Sequence, residues 1–127
     1  MYRVAMVIDD NNIERFLAEK LITRYKFAER AIKYNSAIDA LAYLRSVEND
    51  TAQFPDIIFL DIHMPLMTGF EFMDEYIKFP QAVKDRCKII LFSSTDAYVD
   101  HVRMRDYPVI HKFVGKPLSQ EKLNELR

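Results

Sequence analysis

Only one cysteine, Cys87, occurs in the 127 residues, which excludes an internal disulfide and fits a reducing compartment. It is expected to be a buried or half-buried bystander. Glycine is scarce, at two residues. No clustered run of Lys and Arg is present and the net charge is -1, which argues against a direct nucleic-acid grip. No apolar run is long enough for a signal peptide or a membrane span, and Val4 to Ile8 falls far short of either. Repeats, low-complexity tracts and linkers are missing as well. These absences leave a protein expected to be soluble and cytoplasmic, with residues 1–127 as a single domain and no effector domain in the chain. Hydrophobic residues make up 50% and charged residues 29%, an ordinary globular balance, and the length allows a real core without staples.

Short apolar runs alternate with helical patterns. "RVAMVI" (3–8) and "DIIFL" (56–60) read as buried strands, as do "KIILFS" (88–93) and "VIHKFV" (109–114); "AERAIKY" (28–34) suits a further short strand. The run 56–60 is apolar on both faces after its first residue, as expected where helices cover both sides of a sheet. Asn11 or Asn12 caps a helix in which Ile13, Phe16, Leu17, Leu21 and Tyr25 recur at helical spacing, with Glu14, Arg15, Glu19 and Arg24 elsewhere on the wheel. Ser36 caps a helix carrying Ala37, Leu41 and Leu44 inward. Residues 69–78 form a helix ended by Pro80, residues 96–105 another, and Ser119 opens a last one of about two turns. Helix 69–78 is apolar on more than one stripe and is expected to pack between the sheet and its neighbouring loops. The βα alternation predicts an α/β fold, a doubly wound parallel sheet with right-handed crossovers and helices on both faces.

In such sheets, sites form outside the carboxyl ends of the strands. There the first strand presents Asp9 and Asp10, the third Asp61, the fourth Ser93 and Ser94, and the fifth Gly115, Lys116 and Pro117. Carboxylates this close raise each other's cost of ionisation, so something positive must offset them. Lys116 supplies one charge. A divalent cation is the natural second, since hard carboxylate oxygens and water suit Mg2+, which favours one or two carboxylates plus a phosphoryl group. A carboxylate is also a competent nucleophile toward phosphorus, and Ser93 and Lys116 could hold phosphoryl oxygens. Singly, each feature has a plainer reading as a turn former, a helix cap or a loop hydroxyl. Their occurrence in order at four strand ends favours the shared chemistry.

"VIDD" (7–10), "FLDIHMPLMTG" (59–69), "ILFSST" (90–95) and "FVGKP" (113–117) together resemble the receiver domain of two-component response regulators, in its single-domain, chemotaxis-regulator-like form. The resemblance covers essentially the whole chain. It implies a flavodoxin-like, five-stranded sheet in the order 2-1-3-4-5. It makes Asp61 the phosphoacceptor, and Asp9 and Asp10 the acidic pair for Mg2+, or Mn2+ in its place. Asp10 is then the more direct ligand, Asp9 acts partly through water, and the backbone carbonyl of His63 is a further ligand. Ser93 becomes the hydroxyl that binds the phosphoryl group and moves on activation, Lys116 the partner of a phosphoryl oxygen, Pro117 the residue often found after a cis bond, and Phe113 the aromatic switch. His63 and Thr95 fall at variable positions that tune phosphorylation and dephosphorylation rates. The ring of His63 is read as a rim side chain, in preference to a general base or a zinc ligand. Ser93 replaces the more frequent threonine and keeps the hydroxyl.

The implied function is a phosphoacceptor switch that catalyses its own phosphorylation and dephosphorylation and turns over no external substrate. Its donor is a sensor histidine kinase or a histidine phosphotransfer protein, and its output is a contact with a downstream protein through a surface spanning residues 96–127. Two rivals stand beside it. A haloacid-dehalogenase-type phosphatase would need a second Asp two residues after Asp61, where His63 stands. A degenerate receiver would bind a partner without taking phosphate.

Overall fold

Strands and helices alternate along the computed structural model, which describes residues 1–94 and 98–127. The order is β1 (Tyr2–Ile8), α1 (Asn12–Arg24), β2 (Ala28–Tyr34), α2 (Ala37–Ser46), β3 (Ile57–Asp61), α3 (Gly69–Tyr76), α4 (Gln81–Lys84), β4 (Lys88–Ser93), α5 (Tyr98–Met104), β5 (Ile110–Gly115) and α6 (Gln120–Leu126). The strands form one five-stranded sheet in the order β2-β1-β3-β4-β5, with every pair parallel. The doubly wound α/β architecture and the strand order agree with expectation.

Strand alternation sorts the core into two layers. Met6, Ile8, Ile58, Leu60, Ile89 and Leu91 face α2 and α3, while Ala5, Val7, Ile57, Phe59, Ile90 and Phe92 face α1 and α6. Side chains of both layers are buried, so the three central strands read as unbroken apolar runs. Each fully buried Ile, Leu or Phe contributes about 1.5–3 kcal/mol.

Helix starts follow side-chain chemistry. Asn11 accepts from the backbone N–H groups of Ile13 and Glu14, Ser36 from Asp39, and Ser119 from Lys122. Thr68 and Glu71 form a reciprocal capping box that starts α3.

Several elements depart from the sequence reading. In α1 the buried residues are Ala18 and Ile22, whereas Ile13 is 71% exposed, Phe16 53% and Leu17 46%. The short Ala18 side chain lets the helix lie close to the sheet, and the larger residues fall on the outer flank. Helix α3 ends at Tyr76, and Pro80 caps a further single turn, α4. Proline is well suited to a helix start because the missing N–H would lack a partner there anyway. Strands β3 and β5 are each shifted one residue along, to Ile57–Asp61 and Ile110–Gly115.

Helix α3 packs as expected: Phe70, Phe72, Met73 and Tyr76 are buried, and only Ile77 just beyond it stays open. Cys87 is buried, and burial pushes its thiol up to about 12. The native protein should therefore react with a thiol reagent at pH 8 at least about tenfold more slowly than the urea-unfolded chain. Equal rates in the two states would contradict the burial of this side chain.

Candidate functional site

Sheet register builds the site. Ile8 pairs with Leu60, Asp61 with Phe92, and Ser93 with Gly115, so the strand exits lie side by side. Asp9 follows β1, Asp61 ends β3, Ser93 ends β4, and Lys116 follows β5. The backbone N–H of Lys116 donates to the Ser93 carbonyl at 2.7 Å, which fixes the start of the lysine side chain. The Lys116–Pro117 bond is cis.

Asp9, Asp10 and Asp61 converge, each offering a carboxylate oxygen within 4.8 Å of the others. Asp9 and Asp61 are buried, and Asp10 is exposed. The Lys116 ammonium lies 2.7 Å from Asp9 Oδ2 and 3.5 Å from Asp61 Oδ2. Asp9 Oδ2 is sealed from solvent, and the Lys116 ammonium is the cation beside it. Asp9 Oδ1 accepts from the Asn11 N–H at 2.9 Å, and Arg15 donates to the Asp9 carbonyl at 2.7 Å.

Burial is the largest influence on Asp61 and pushes its carboxyl up to about 7. Lys116 and the His63 N–H pull it down, while Asp9 and Asp10 push it up. For Lys116 burial acts first, disfavouring the charge, but Asp9, Asp61 and Glu14 together outweigh it and the ammonium is held above its ordinary value. Asp9 and Asp61 thus share one lysine at a largely buried edge, with the exposed Asp10 beside them. The donor set is all hard oxygen and short of positive charge, which fits a divalent cation of the Mg2+ type.

The β3–α3 loop presses on this site. The His63 N–H donates to Asp61 Oδ1 at 3.3 Å, and the Gly69 N–H to the Ile62 carbonyl at 2.8 Å. Leu66 takes the left-handed conformation, with φ of 69°, at the turn. A Cβ at Gly69 would lie 2.7 Å from the Asp61 carbonyl oxygen and 2.9 Å from Ile62 Cα, so this glycine is required by space.

Ser93 is buried beside Lys116. Phe113 is half-buried and packs against His101 of α5, ring centroids 4.2 Å apart. Thr95 lies outside the described residues, as do residues 96 and 97 of the helix expected over 96–105. Sequence reasoning missed the ring of His63, whose Nε2 is 3.0 Å from Asp100 Oδ2 in α5. It also missed the support of Asp9 by Asn11 and Arg15. The first has no signal in sequence, since the partners are 37 residues apart; the second lies within six residues and was accessible.

No described helix is long and apolar enough to cross a membrane. Residues 5–126 match the model of the response regulator receiver domain. A two-component response regulator from Cytophaga hutchinsonii superposes with a TM-score of 0.89 at 27% identity, covering 98% of this chain and 93% of that one. A response regulator receiver protein from Dyadobacter fermentans gives 0.85 at 33% identity, over 98% and 94%. Among sequences, the probable methanogenesis regulatory protein FilR2 of Methanothrix harundinacea is 27% identical over 94% of this chain and 76% of its own length. Fold, strand-edge constellation and these likenesses agree: the chain belongs to the response regulator receiver domain family of two-component signalling.

Proposed function

We propose that the protein is a phosphoacceptor switch, one receiver unit over residues 1–127, in which Asp61 takes a phosphoryl group from a phosphohistidine. The donor is a sensor histidine kinase or a histidine phosphotransfer protein, met in the cytoplasm. The supporting observation is the placing of a buried, charge-burdened Asp61 between two further acids, one lysine and one serine at the strand exits.

An Asp61 carboxylate oxygen attacks phosphorus, the P–N bond breaks, and its electron pair leaves with the donor imidazole. Water later attacks the acyl phosphate and restores the carboxylate with release of inorganic phosphate. Lys116, already 3.5 Å from Asp61, neutralises a phosphoryl oxygen. The Ser93 hydroxyl donates to another. Asp9, Asp10, Asp61 and the His63 carbonyl would hold Mg2+ (or Mn2+), which supplies charge neutralisation and a template for the transferring group.

A phosphoryl group adds negative charge and acceptor oxygens that bias an existing two-state equilibrium. Movement of Ser93 opens room for Phe113 to leave His101 and turn inward. Phe113 has no hydroxyl to satisfy when it does so. The surface formed by α5, β5 and α6 then repacks and meets a downstream protein. His63 and Thr95 are assigned to rate tuning.

Acetyl phosphate with Mg2+ should add one phosphoryl group to the protein by mass, and Asp61→Asn should add none. Labelling of the variant would refute the nucleophile assignment. Asp10→Ala should weaken Mg2+ binding by at least about tenfold, as loss of a direct carboxylate ligand demands. Unchanged binding would remove Asp10 from the metal cradle.

A further inference from the structure

His63 touches two elements at once. Its backbone N–H reaches Asp61 Oδ1 at 3.3 Å, and its ring Nε2 reaches Asp100 Oδ2 at 3.0 Å. Asp100 belongs to α5, and its side chain is only 8% exposed although that of His63 is 58% exposed. An acid in the first turn of a helix is favoured by the helix dipole alone, without any partner. A carboxylate withdrawn from water needs directed hydrogen bonds as well. The imidazole provides one in either charge state, provided Nε2 carries a proton.

Helix α5 is held from other sides too. His101 packs on Phe113, and the Arg103 guanidinium stands 4.6 Å from the centre of the Phe70 ring. Neighbouring residues of one helix therefore contact the loop after β3, through Asp100, and the aromatic side chain of β5, through His101.

We propose that Asp100 is a positioning residue of the phosphoryl site, acting through His63, which ties Asp61 to α5. The proposal rests on the reading of Asp61 as phosphoacceptor. Held by its ring, His63 keeps its N–H on the Asp61 carboxylate and keeps the loop closed over the acyl phosphate. Conversion of that carboxylate to an acyl phosphate moves charge outward and weakens the contact with the N–H. The change reaches α5 through His63 and Asp100, a line separate from Ser93 and Phe113.

Amide hydrogen exchange of the metal-free, unphosphorylated protein tests the tie without any phosphoryl chemistry. Asp100→Ala and His63→Ala should each speed exchange in residues 98–104 by about threefold or more, and the double variant no further. Asp100→Asn, whose side-chain oxygen still accepts from Nε2–H, should stay within about twofold of the parent. In protein labelled with acetyl phosphate and Mg2+, Asp100→Ala should shorten the lifetime of the phosphoryl group several-fold, and Asp100→Asn should restore it. Fast exchange in Asp100→Ala with parental exchange in His63→Ala would overturn the tie, because the carboxylate would then serve only its own helix. Additive effects, or an unchanged lifetime in Asp100→Ala, would overturn it equally. Failure of the parent protein to take phosphate would refute the phosphoacceptor reading instead, and the exchange comparison would still decide the tie.

Discussion

Replacement of Asp61 by Asn should make the metal-free protein more stable at pH 8, while removing its capacity to carry phosphate. The carboxyl of Asp61 is held up to about 7 in the folded protein, first by burial and then by Asp9 and Asp10, against the opposing pull of Lys116 and the His63 N–H. A raised carboxyl in the folded state gives its full stability below the ordinary value of 3.8, and that contribution drains away as pH rises through about 7. Above pH 7 the native protein carries an ionised carboxylate that its surroundings disfavour.

Asparagine keeps the shape and the acceptor for the His63 N–H and carries no charge. The gain at pH 8 should be on the order of 2–4 kcal/mol, from the size of the shift. Its lower part is the more realistic, since Lys116 loses one of two carboxylate partners. At pH 4 the gain should nearly vanish, because Asp61 is then largely protonated in the folded state. Saturating Mg2+ should narrow or reverse the difference, because a cation that binds only the native state stabilises the parent through the carboxylate the variant lacks. Urea unfolding at pH 4, 6 and 8, with chelator or with Mg2+, measures all of this. A stability difference independent of pH would show that Asp61 bears no such electrostatic burden.

The residues that create this burden were legible because the three central strands are covered on both faces. Uniform apolar runs such as IIFL (57–60) leave no polar residue until the strand exit, so Asp61 stands out in sequence as it does in space. The order of the strands was not contained in their composition and came from resemblance to known receivers. Periodicity placed α1 but not its inward face, since apolar residues ring more than one side and only contact with the sheet selects Ala18 and Ile22 over Ile13, Phe16 and Leu17. Adjacent Asp9 and Asp10 are alike in sequence, yet one is sealed against Lys116 and Asn11 and the other faces water. That division depends on where β1 stops. The pairing of His63 with Asp100 joins residues 37 apart by tertiary packing, for which no spacing rule exists.

The second large effect is expected at Gly69, where Gly69→Ala should both destabilise the fold and impair phosphorylation. Gly69 opens α3, whose start is pinned by the Thr68–Glu71 capping box and by the Gly69 N–H on the Ile62 carbonyl. The atoms that an added Cβ would meet, the Asp61 carbonyl oxygen at 2.7 Å and Ile62 Cα at 2.9 Å, are both backbone. No rotation of a side chain relieves such a contact, so either α3 retreats from the sheet or the exit of β3 shifts. Overpacking of this kind costs about 1–3 kcal/mol. A displacement of Asp61 approaching 1 Å would slow phosphoryl transfer by roughly a hundredfold, because the reaction depends on placement of the attacking oxygen. Gly115 provides the internal control: it ends β5 beside Lys116, and a Cβ there meets nothing within 4 Å. Gly115→Ala should therefore change stability by no more than about 0.5–1 kcal/mol, the ordinary scale of a glycine-to-alanine change without a clash. Urea melts and acetyl phosphate labelling rates of the two variants, measured side by side, separate the outcomes. Equal behaviour would mean that the close approach of α3 to the exit of β3 places no demand on residue 69.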